Sequence, residues 1–379
     1  MRVEPPIPAQ VLAAVRAPFL EMDAAAIDPP VAQPLGLILD LSGEAMRERL
    51  ILVQSEGGEE AALRPDFTIP AARLHIQSGK AGGCYFYEGK AFRASPRGRE
   101  AYEEFLQLGL EAFETGAAPD ADAEIAALAW RAAAAGGRTD LTLQFGDVGL
   151  FAAFVDTLRL AEPLAARIKR AFASPRRLRE VLEHAGNDGA PRTALAAERV
   201  SSLISHLPEA EAAAVLEDLW ALAGIEPAGG RSAAEIVHRL AERAAAARAP
   251  ELTAEQAALI SRFLAISDAP AAALEAVARL AGLGGAKLDA ALDDWARRLE
   301  ALEADVPDAA IRLSTAFGRD FGYYDGVLFE VRSAALGDAR PVAAGGRYDS
   351  LFPRLGANLA CGAVGCMVRP GRAWQEGAR

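Results

Sequence analysis

Residues 63–77 read LRPDFTIPAARLHIQ and residues 85–114 read YFYEGKAFRASPRGREAYEEFLQLGLEAFE. In the last ten residues of the second segment, FLQLGLEAFE, Leu or Ala occupies every second position from 106 to 112, which is the period of a β-strand. A helical period fits part of them, but the strict alternation and the interior glycine favour a strand. Gln107 and Glu111 then point to one side, across Gly109, which would leave room for a ligand.

The first segment predicts a helix that begins near Thr68, with this threonine as the N-cap and Pro70 in the first turn. Asp66 precedes the helix, where its dipole favours a carboxylate. Between the two segments, CYFYEGKAFRA at 84–94 predicts two strands joined by a Glu-Gly-Lys turn. Upstream, LGLILDLSG at 35–43 predicts a further strand.

The composition narrows the functional classes. Hydrophobic residues make up 51% and charged residues 24%, which is typical of globular proteins. The net charge of -12 indicates no strongly basic face, so we do not expect binding to a nucleic-acid backbone. The three cysteines lack the spacing of a zinc site and indicate reduced thiols, so we expect a cytoplasmic protein. No stretch is apolar enough to cross a membrane.

The chain divides into three parts by pattern. Residues 150–305 are rich in Ala, Leu, Arg and Glu with helical periodicity and frequent Pro or Gly breaks, which predicts a helical module. Strand patterns occur on both sides, in 1–149 and 306–379. We therefore expect an α+β core interrupted by a helical insertion.

The sequence contains no nucleophile elbow, Walker loop, dinucleotide fingerprint or metal-binding helix motif, and we expect no cofactor and no metal. What stands out is a group of polar residues on predicted strands and strand ends: Asp66, Arg93, Gln107, Glu111, Arg319, Tyr323, Tyr324 and Tyr348. Carboxylates can hold an ammonium group, an arginine fork a carboxylate, and tyrosine hydroxyls an imidazole nitrogen. Together they suit a small zwitterion. An exposed sheet face with scattered ion pairs is an equally open interpretation at this point.

Several segments resemble the signatures of histidyl-tRNA synthetase-like proteins, in the order of that family. They are Pro29-Pro30 (motif 1), LRPDFT at 63–68, FRASPRGREAYEEFLQLGLEAFE at 92–114 (motif 2), RDFGYYDGVLFEV at 319–331, AAGGRYDSLF at 343–352 and AVGCMVRPGR at 363–372 (motif 3). The resemblance implies a class II aminoacyl-tRNA synthetase-like core, with an antiparallel sheet flanked by helices. The helical module lies where the family carries its insertion.

The departures from the synthetase pattern concern its nucleotide side. Ser95 stands where the synthetase has a glutamate two residues after the motif 2 arginine, and Glu103 stands where it has an arginine. Gly322 replaces an aspartate before the paired tyrosines, and the sequence RPGR alters motif 3. The sequence ends shortly after the last predicted strand, so we expect no anticodon-binding domain and no tRNA partner.

The branch of the family with this anatomy comprises the regulatory subunits of ATP phosphoribosyltransferase. This resemblance implies a non-catalytic chain needed for the first step of L-histidine biosynthesis. It also implies a self-dimer within a hetero-octamer with the short-form catalytic subunit, and L-histidine as the feedback effector. An amino-acid-activating or -ligating synthetase paralogue stays open because Arg93 and Arg319 are kept, as does an assembly scaffold with a vestigial pocket.

The resemblance also implies a histidine-binding set: Asp66, Thr68, Arg93, Gln107, Glu111, Arg319, Tyr323, Tyr324 and Tyr348. In this set, Gln107 and Glu111 would bond the α-amino group. Arg319 would meet the carboxylate, and Tyr324 and Tyr348 would face the imidazole. No residue is assigned a catalytic role.

Overall fold

The structure, a computed structural model, describes residues 1–54, 58, 60–95, 101–114, 118–183, 185, 208–223, 233–234, 237, 252–282, 286–318, 322–359 and 361–375. The chain forms two compact units. Unit 1 comprises Met1–Phe154 and Phe263–Arg379, and unit 2 comprises Val155–Arg262.

The strands of the described residues all belong to unit 1. They are β1 (Ala25–Ala26), β2 (Ala32–Pro34), β3 (Leu52–Val53), β4 (Ala61–Leu63), β5 (Gly83–Phe92), β6 (Glu104–Glu114), β7 (Leu141–Asp147), β8 (Ser267–Asp268), β9 (Ile311–Ser314), β10 (Val327–Ser333), β11 (Ala343–Arg347) and β12 (Gly362–Val368). Within these ranges, nine strands form one sheet in the order β1-β5-β6-β12-β11-β10-β7-β9-β8, and β2-β4-β3 form a second. The pairings in the large sheet are antiparallel except β1 with β5 and β7 with β9.

The helices of the described residues lie in both units. They are α1 (Ala9–Leu20), α2 (Leu35–Ser42), α3 (Thr68–Ser78), α4 (Ala118–Ala134), α5 (Val148–Thr157), α6 (Glu162–Ala171), α7 (Pro175–Glu183), α8 (Glu209–Ala223), α9 (Ala254–Leu264), α10 (Pro270–Ala281), α11 (Ala286–Leu302), α12 (Leu351–Arg354) and α13 (Pro370–Ala373). None of them has the length and apolar character needed to cross a membrane.

The predicted antiparallel sheet flanked by helices is confirmed, and FLQLGLEAFE is a strand, β6. The predicted turn in CYFYEGKAFRA is wrong. Residues Gly83–Phe92 form one continuous strand, β5, that pairs with β6 along its whole length. Gly89 is part of this strand and does not form a turn. Glycine suits the position because a side chain there would meet the guanidinium of Arg64 and the ring of Phe67.

The predicted strand LGLILDLSG is also wrong, since Leu35–Ser42 form the helix α2. A short continuous apolar run fits a buried helix as well as a buried strand. Here Leu35, Ile38 and Leu39 are buried at helical spacing. The helix ends at Gly43, whose φ of 91° is accessible mainly to glycine.

The three-part division at 1–149, 150–305 and 306–379 stays a prediction about the family's insertion. By their contacts, α10 and α11 belong to unit 1 and not with the other helices of 150–305. The physical reason is visible for α11. Its Trp295 is fully buried and donates a hydrogen bond to Asp147 at 2.8 Å, and its ring packs edge-on against Phe145.

In unit 2, α6 and α7 follow one another and each buries an apolar stripe. The buried positions of α6 are Leu164, Ala165, Ile168 and Ala171, at helical spacing, and Leu178 is the buried position of α7. This spacing agrees with the helical period expected for this part of the chain.

A buried ion-pair network joins α4, α11 and β11 on one face of the large sheet. Asp122 of α4 accepts hydrogen bonds from Arg347 Nε at 2.7 Å and Arg298 Nε at 2.9 Å. Arg347 also donates to Asp349 and to the carbonyl of Ala118. All three members of the central group are under 10% exposed. Removing the carboxylate would leave two buried guanidinium groups without their shared counter-charge.

We therefore expect Asp122→Ala to lower the free energy of unfolding by about 3–5 kcal/mol, the usual result of breaking a buried pair. Asp120→Ala on the same helix is the matched control. Its partner Arg297 and Asp120 itself are both half exposed or more, so the loss should stay below about 1 kcal/mol. Urea unfolding followed by circular dichroism measures both. Equal losses in the two variants would contradict a central role for Asp122.

Candidate functional site

A small cavity lies on one face of the large sheet, beside β6 and β12 and near the start of α3. Its lining is mostly polar or aromatic: Asp66, Thr68, Tyr87, Arg93, Gln107, Glu111, Tyr323, Tyr324, Ala344, Gly365, Cys366 and Met367. Seven of the nine residues singled out from the sequence are in this lining. Tyr348 contacts Glu111, and Arg319 lies outside the described residues.

The carboxyl group of Glu111 is held by three hydroxyl groups from three different parts of the chain. Thr68 Oγ1 donates at 2.8 Å and Tyr87 Oη at 3.3 Å to its Oε1 oxygen, and Tyr348 Oη donates to its Oε2 oxygen. The side chain is 1% exposed. Burial raises the pKa of Glu111 to about 8, although the three hydrogen bonds act in the opposite direction.

Two glycines make the space for this arrangement. Gly365 of β12 lies directly opposite Glu111, and a side chain there would collide with the carboxyl group. Gly109 lies opposite Tyr87, and a side chain there would collide with the Tyr87 hydroxyl. The room that Gly109 was expected to leave for a ligand is therefore occupied by Tyr87.

Asp66 is the second buried carboxyl group of the cavity, 4% exposed. Its Oδ1 accepts the backbone N–H of Thr68 at 3.2 Å, and its Oδ2 accepts the hydroxyl of Tyr323 at 3.3 Å. Burial raises the pKa of Asp66, and the nearby charge of Arg93 opposes this rise. The predicted N-cap role of Thr68 is wrong. Thr68 is the first residue of α3, and its hydroxyl donates to Glu111.

The side chain of Gln107 is 1% exposed, and only the nitrogen of its amide group forms a hydrogen bond with a described residue. Its Nε2 donates to Tyr87 Oη at 3.3 Å. Its Oε1 is buried and has no hydrogen-bond partner in the part of the chain that the structure describes. A buried acceptor without a donor is costly, so a ligand that supplies an N–H or O–H there would be favoured.

Aromatic rings surround these polar groups. Tyr323 packs 4.8 Å from Tyr324, and Tyr348 lies edge-on to both, at 5.8 Å and 6.2 Å between ring centroids. Phe67 and Tyr87 stack in parallel at 4.2 Å. The cavity therefore combines rigid aromatic walls with buried hydrogen-bond acceptors.

The arginines of motifs 2 and 3 are engaged by the protein itself. Arg93 Nε donates to the carbonyl of Pro65 at 2.9 Å, and its guanidinium lies 5.5 Å from the ring centre of Phe105. The guanidinium of Arg369 lies 3.6 Å from the centre of the same ring. Arg369 forms a buried ion pair with Glu4 at 2.8 Å, so its charge is already neutralised.

Chemically, the cavity can hold a small cationic or zwitterionic molecule through acceptor groups. The described residues contain no group of three His, Cys, Asp or Glu side chains placed to bind a metal ion. Tyr87 is the polar lining residue that sequence reasoning missed. The signal that identifies it is its alignment opposite Gly109, which follows only once β5 is known to be one continuous strand.

The raised pKa of Glu111 predicts a dependence of stability on pH. The group has a pKa of 4.5 ordinarily and about 8 in the folded chain, so the folded state holds the proton more tightly. The stabilisation is complete below pH 4.5 and is lost as the pH rises through 8. We expect Glu111→Gln, which cannot ionise, to escape this loss and to unfold at increasingly higher urea concentration than the unaltered chain as the pH rises.

Urea unfolding at several pH values across this window measures the difference. Glu124→Gln removes an exposed carboxylate from α4 and should follow the unaltered chain within about 0.5 kcal/mol. If Glu111→Gln and the unaltered chain kept a constant difference from pH 4.5 to 8, the assignment of the shift to Glu111 would be wrong.

Comparison with known proteins identifies the family. The family model described as histidyl-tRNA synthetase matches residues 25–223 and 211–369. The chain is 37% identical over 358 residues to a protein of Mesorhizobium japonicum named ATP phosphoribosyltransferase regulatory subunit, covering 92% of each. It is 36% identical over 352 residues to a protein of the same name from Allorhizobium ampelinum, again covering 92% of each.

Solved structures agree in fold. A Bacillus halodurans structure described as an ATP phosphoribosyltransferase regulatory subunit/histidyl-tRNA synthetase matches with a TM-score of 0.65 at 18% identity, covering 99% of this chain and 82% of that one. A histidyl-tRNA synthetase from Nostoc sp. PCC 7120 matches with a TM-score of 0.59 at 14% identity, covering 96% and 69%. The chain has the class II, histidyl-tRNA synthetase-like fold and belongs to the family of ATP phosphoribosyltransferase regulatory subunits.

Proposed function

We propose that this chain is a non-catalytic regulatory subunit of ATP phosphoribosyltransferase, a glycosyltransferase, required for the first step of L-histidine biosynthesis. We further propose that its cavity binds L-histidine for feedback regulation. The observation that carries the proposal is the identity of 36–37% to relatives of this name over 92% of the chain. The lining of the cavity supports the effector.

L-Histidine suits the cavity because its polar ends match the groups that converge there. Its α-ammonium group can donate to the unpartnered Oε1 of Gln107 and to the carboxyl group of Glu111. Its imidazole would lie against Tyr324 and Tyr348, and Arg319 would meet its carboxylate. This assignment keeps the roles implied by the resemblance.

The absence of catalysis is supported by the state of the nucleotide side. An adenylating enzyme needs cationic groups free to hold phosphates. Arg369 is instead paired with Glu4 in a buried contact, and Ser95 replaces the motif 2 glutamate. The second candidate, an amino-acid-activating or -ligating paralogue, is favoured by Arg93 in the cavity lining, which the sequence keeps together with Arg319. Histidine-dependent exchange of pyrophosphate into ATP by the purified chain would support that candidate instead.

In the proposed assembly, the chain forms a dimer and joins the short-form catalytic subunit in a cytoplasmic hetero-octamer, without tRNA. Histidine would bind one arrangement of the regulatory dimer more tightly than another and so bias the attached catalytic subunits. Such coupling requires a difference in affinity between two states.

Reconstitution with the cognate short-form catalytic subunit tests the proposal. We expect the catalytic subunit to form phosphoribosyl-ATP much faster with this chain than alone, and L-histidine to inhibit the complex. The chain alone should form none. No stimulation by the chain would contradict the regulatory role, and stimulation without any effect of histidine would contradict the feedback role.

A pair of glutamine substitutions tests the binding site. Gln107→Leu removes a cavity acceptor, and we expect about tenfold weaker binding of L-histidine, since one hydrogen bond to a charged group contributes about 1.5–3 kcal/mol. Gln144→Leu is the control, because this glutamine lies on β7 and its amide bonds backbone carbonyls. Calorimetric titration measures both. Equal affinities in the two variants would place histidine outside the cavity.

A further inference from the structure

We infer that Tyr87 is a positioning residue that sets the ligand selectivity of the cavity. Its hydroxyl group orients the Gln107 amide so that the carbonyl oxygen, and not the NH₂ group, is left for the ligand. The inference rests on the proposed binding of an amino acid in this cavity and goes beyond it. It explains why the site would require a donor, such as an α-ammonium group, at this point.

The orientation follows from counting donors and acceptors. A tyrosine hydroxyl has one proton to donate. The Tyr87 proton has two acceptors in reach, Glu111 Oε1 at 3.3 Å, which accepts from Thr68 as well, and the carbonyl oxygen of Cys366 at 3.5 Å. Because a carbonyl oxygen only accepts, an acceptor for this proton remains in either protonation state of Glu111.

With its proton donated to one of these two acceptors, the Tyr87 oxygen can only accept from Gln107. The amide must therefore turn its NH₂ group to Tyr87, as the 3.3 Å contact from Nε2 shows. The carbonyl oxygen Oε1 then points elsewhere, and among the described residues it has no hydrogen-bond partner, although the side chain is 1% exposed. A 180° flip of the amide would instead bring the carbonyl oxygen Oε1 against the Tyr87 oxygen, which has no proton left to donate to it, and this bond would be lost.

The Tyr87 hydroxyl cannot move aside to relax this constraint. Its ring stacks on Phe67 at 4.2 Å with only 3° between the planes, and Arg64 covers Phe67 at 4.0 Å. Its oxygen lies so close to Gly109 that any side chain at position 109 would collide with it. The hydroxyl is thus held at a defined point between Gln107 and Glu111.

Selectivity follows because an obligate acceptor discriminates between ligands. A ligand with an ammonium group satisfies Gln107 Oε1, whereas one that lacks it leaves a buried carbonyl without a donor. If residue 87 had no hydroxyl group, the amide could rotate and offer its NH₂ group instead. The preference for an α-amino group would then weaken.

The test compares L-histidine with 3-(imidazol-4-yl)propanoate, which has the same skeleton without the α-amino group. Affinities are measured by calorimetry, with competition against L-histidine for the weaker ligand. We expect Tyr87→Phe to lower the ratio of the two affinities about tenfold, equivalent to about 1.4 kcal/mol. This ratio is a readout that a merely structural role of Tyr87 would not move.

Tyr85→Phe is the matched control. Tyr85 lies on the same strand and face, but its hydroxyl contacts His75 Nδ1 at 2.8 Å, away from the cavity lining. We expect this variant to keep the ratio of the unaltered chain. Circular dichroism verifies that both variants are folded, and a Tyr87→Phe chain that fails to fold is replaced by Tyr87→Leu for the same ratio.

The outcomes separate the inference from the proposed function. If the unaltered chain prefers L-histidine and the Tyr87 variant keeps the same ratio, Tyr87 does not set selectivity and only this inference is overturned. A parallel loss of affinity for both ligands overturns it likewise. If the unaltered chain binds neither ligand, the proposed histidine site is wrong and the inference falls with it.

Discussion

The buried carboxyl group of Glu111 is the point on which the site depends. A carboxyl group out of water needs hydrogen-bond donors, and here they come from Thr68 at the start of α3, Tyr87 on β5 and Tyr348 after β11. These segments are distant in sequence and meet only because the sheet order places β6 between β5 and β12. The cavity therefore depends on the strand order of the folded sheet.

Contacts on the opposite face of the sheet anchor β11, the strand that immediately precedes the donor Tyr348. Arg347, the last residue of β11, is bound to Asp122 on the α4 side, and Tyr348 follows it and turns to Glu111. The ion-pair network therefore fixes the backbone just before a site residue. The network stabilises the fold, whereas the buried acid of the cavity weakens it as the pH rises. Such opposition is common where a site needs buried polar groups.

The acceptor groups of the cavity and the basic residues of motifs 2 and 3 are engaged in different ways in this chain. The hydrogen-bond acceptors that suit an amino acid converge on one cavity. The basic residues Arg93 and Arg369 are instead bound by other groups of the same chain. The ion pair between Glu4 and Arg369 is the clearest case, because a carboxylate of the chain itself takes the place that an anionic ligand would need. This contrast is the physical basis for proposing binding without chemistry. It does not depend on the absence of any further domain.

The sequence by itself determined the local elements whose residues carry their own period. The alternation in FLQLGLEAFE predicts β6 and places Gln107 and Glu111 on one face, and the motif order predicts the fold. The sequence did not show that Glu88-Gly89-Lys90 continues a strand or that LGLILDLSG forms a helix. It also did not show that the Thr68 hydroxyl donates to Glu111 and does not cap the helix. Those outcomes, and the place of Tyr87 beside Gly109, depend on strand register and burial. Only the tertiary structure decides them, because hydrogen-bond partners far apart in the chain compete with local preferences.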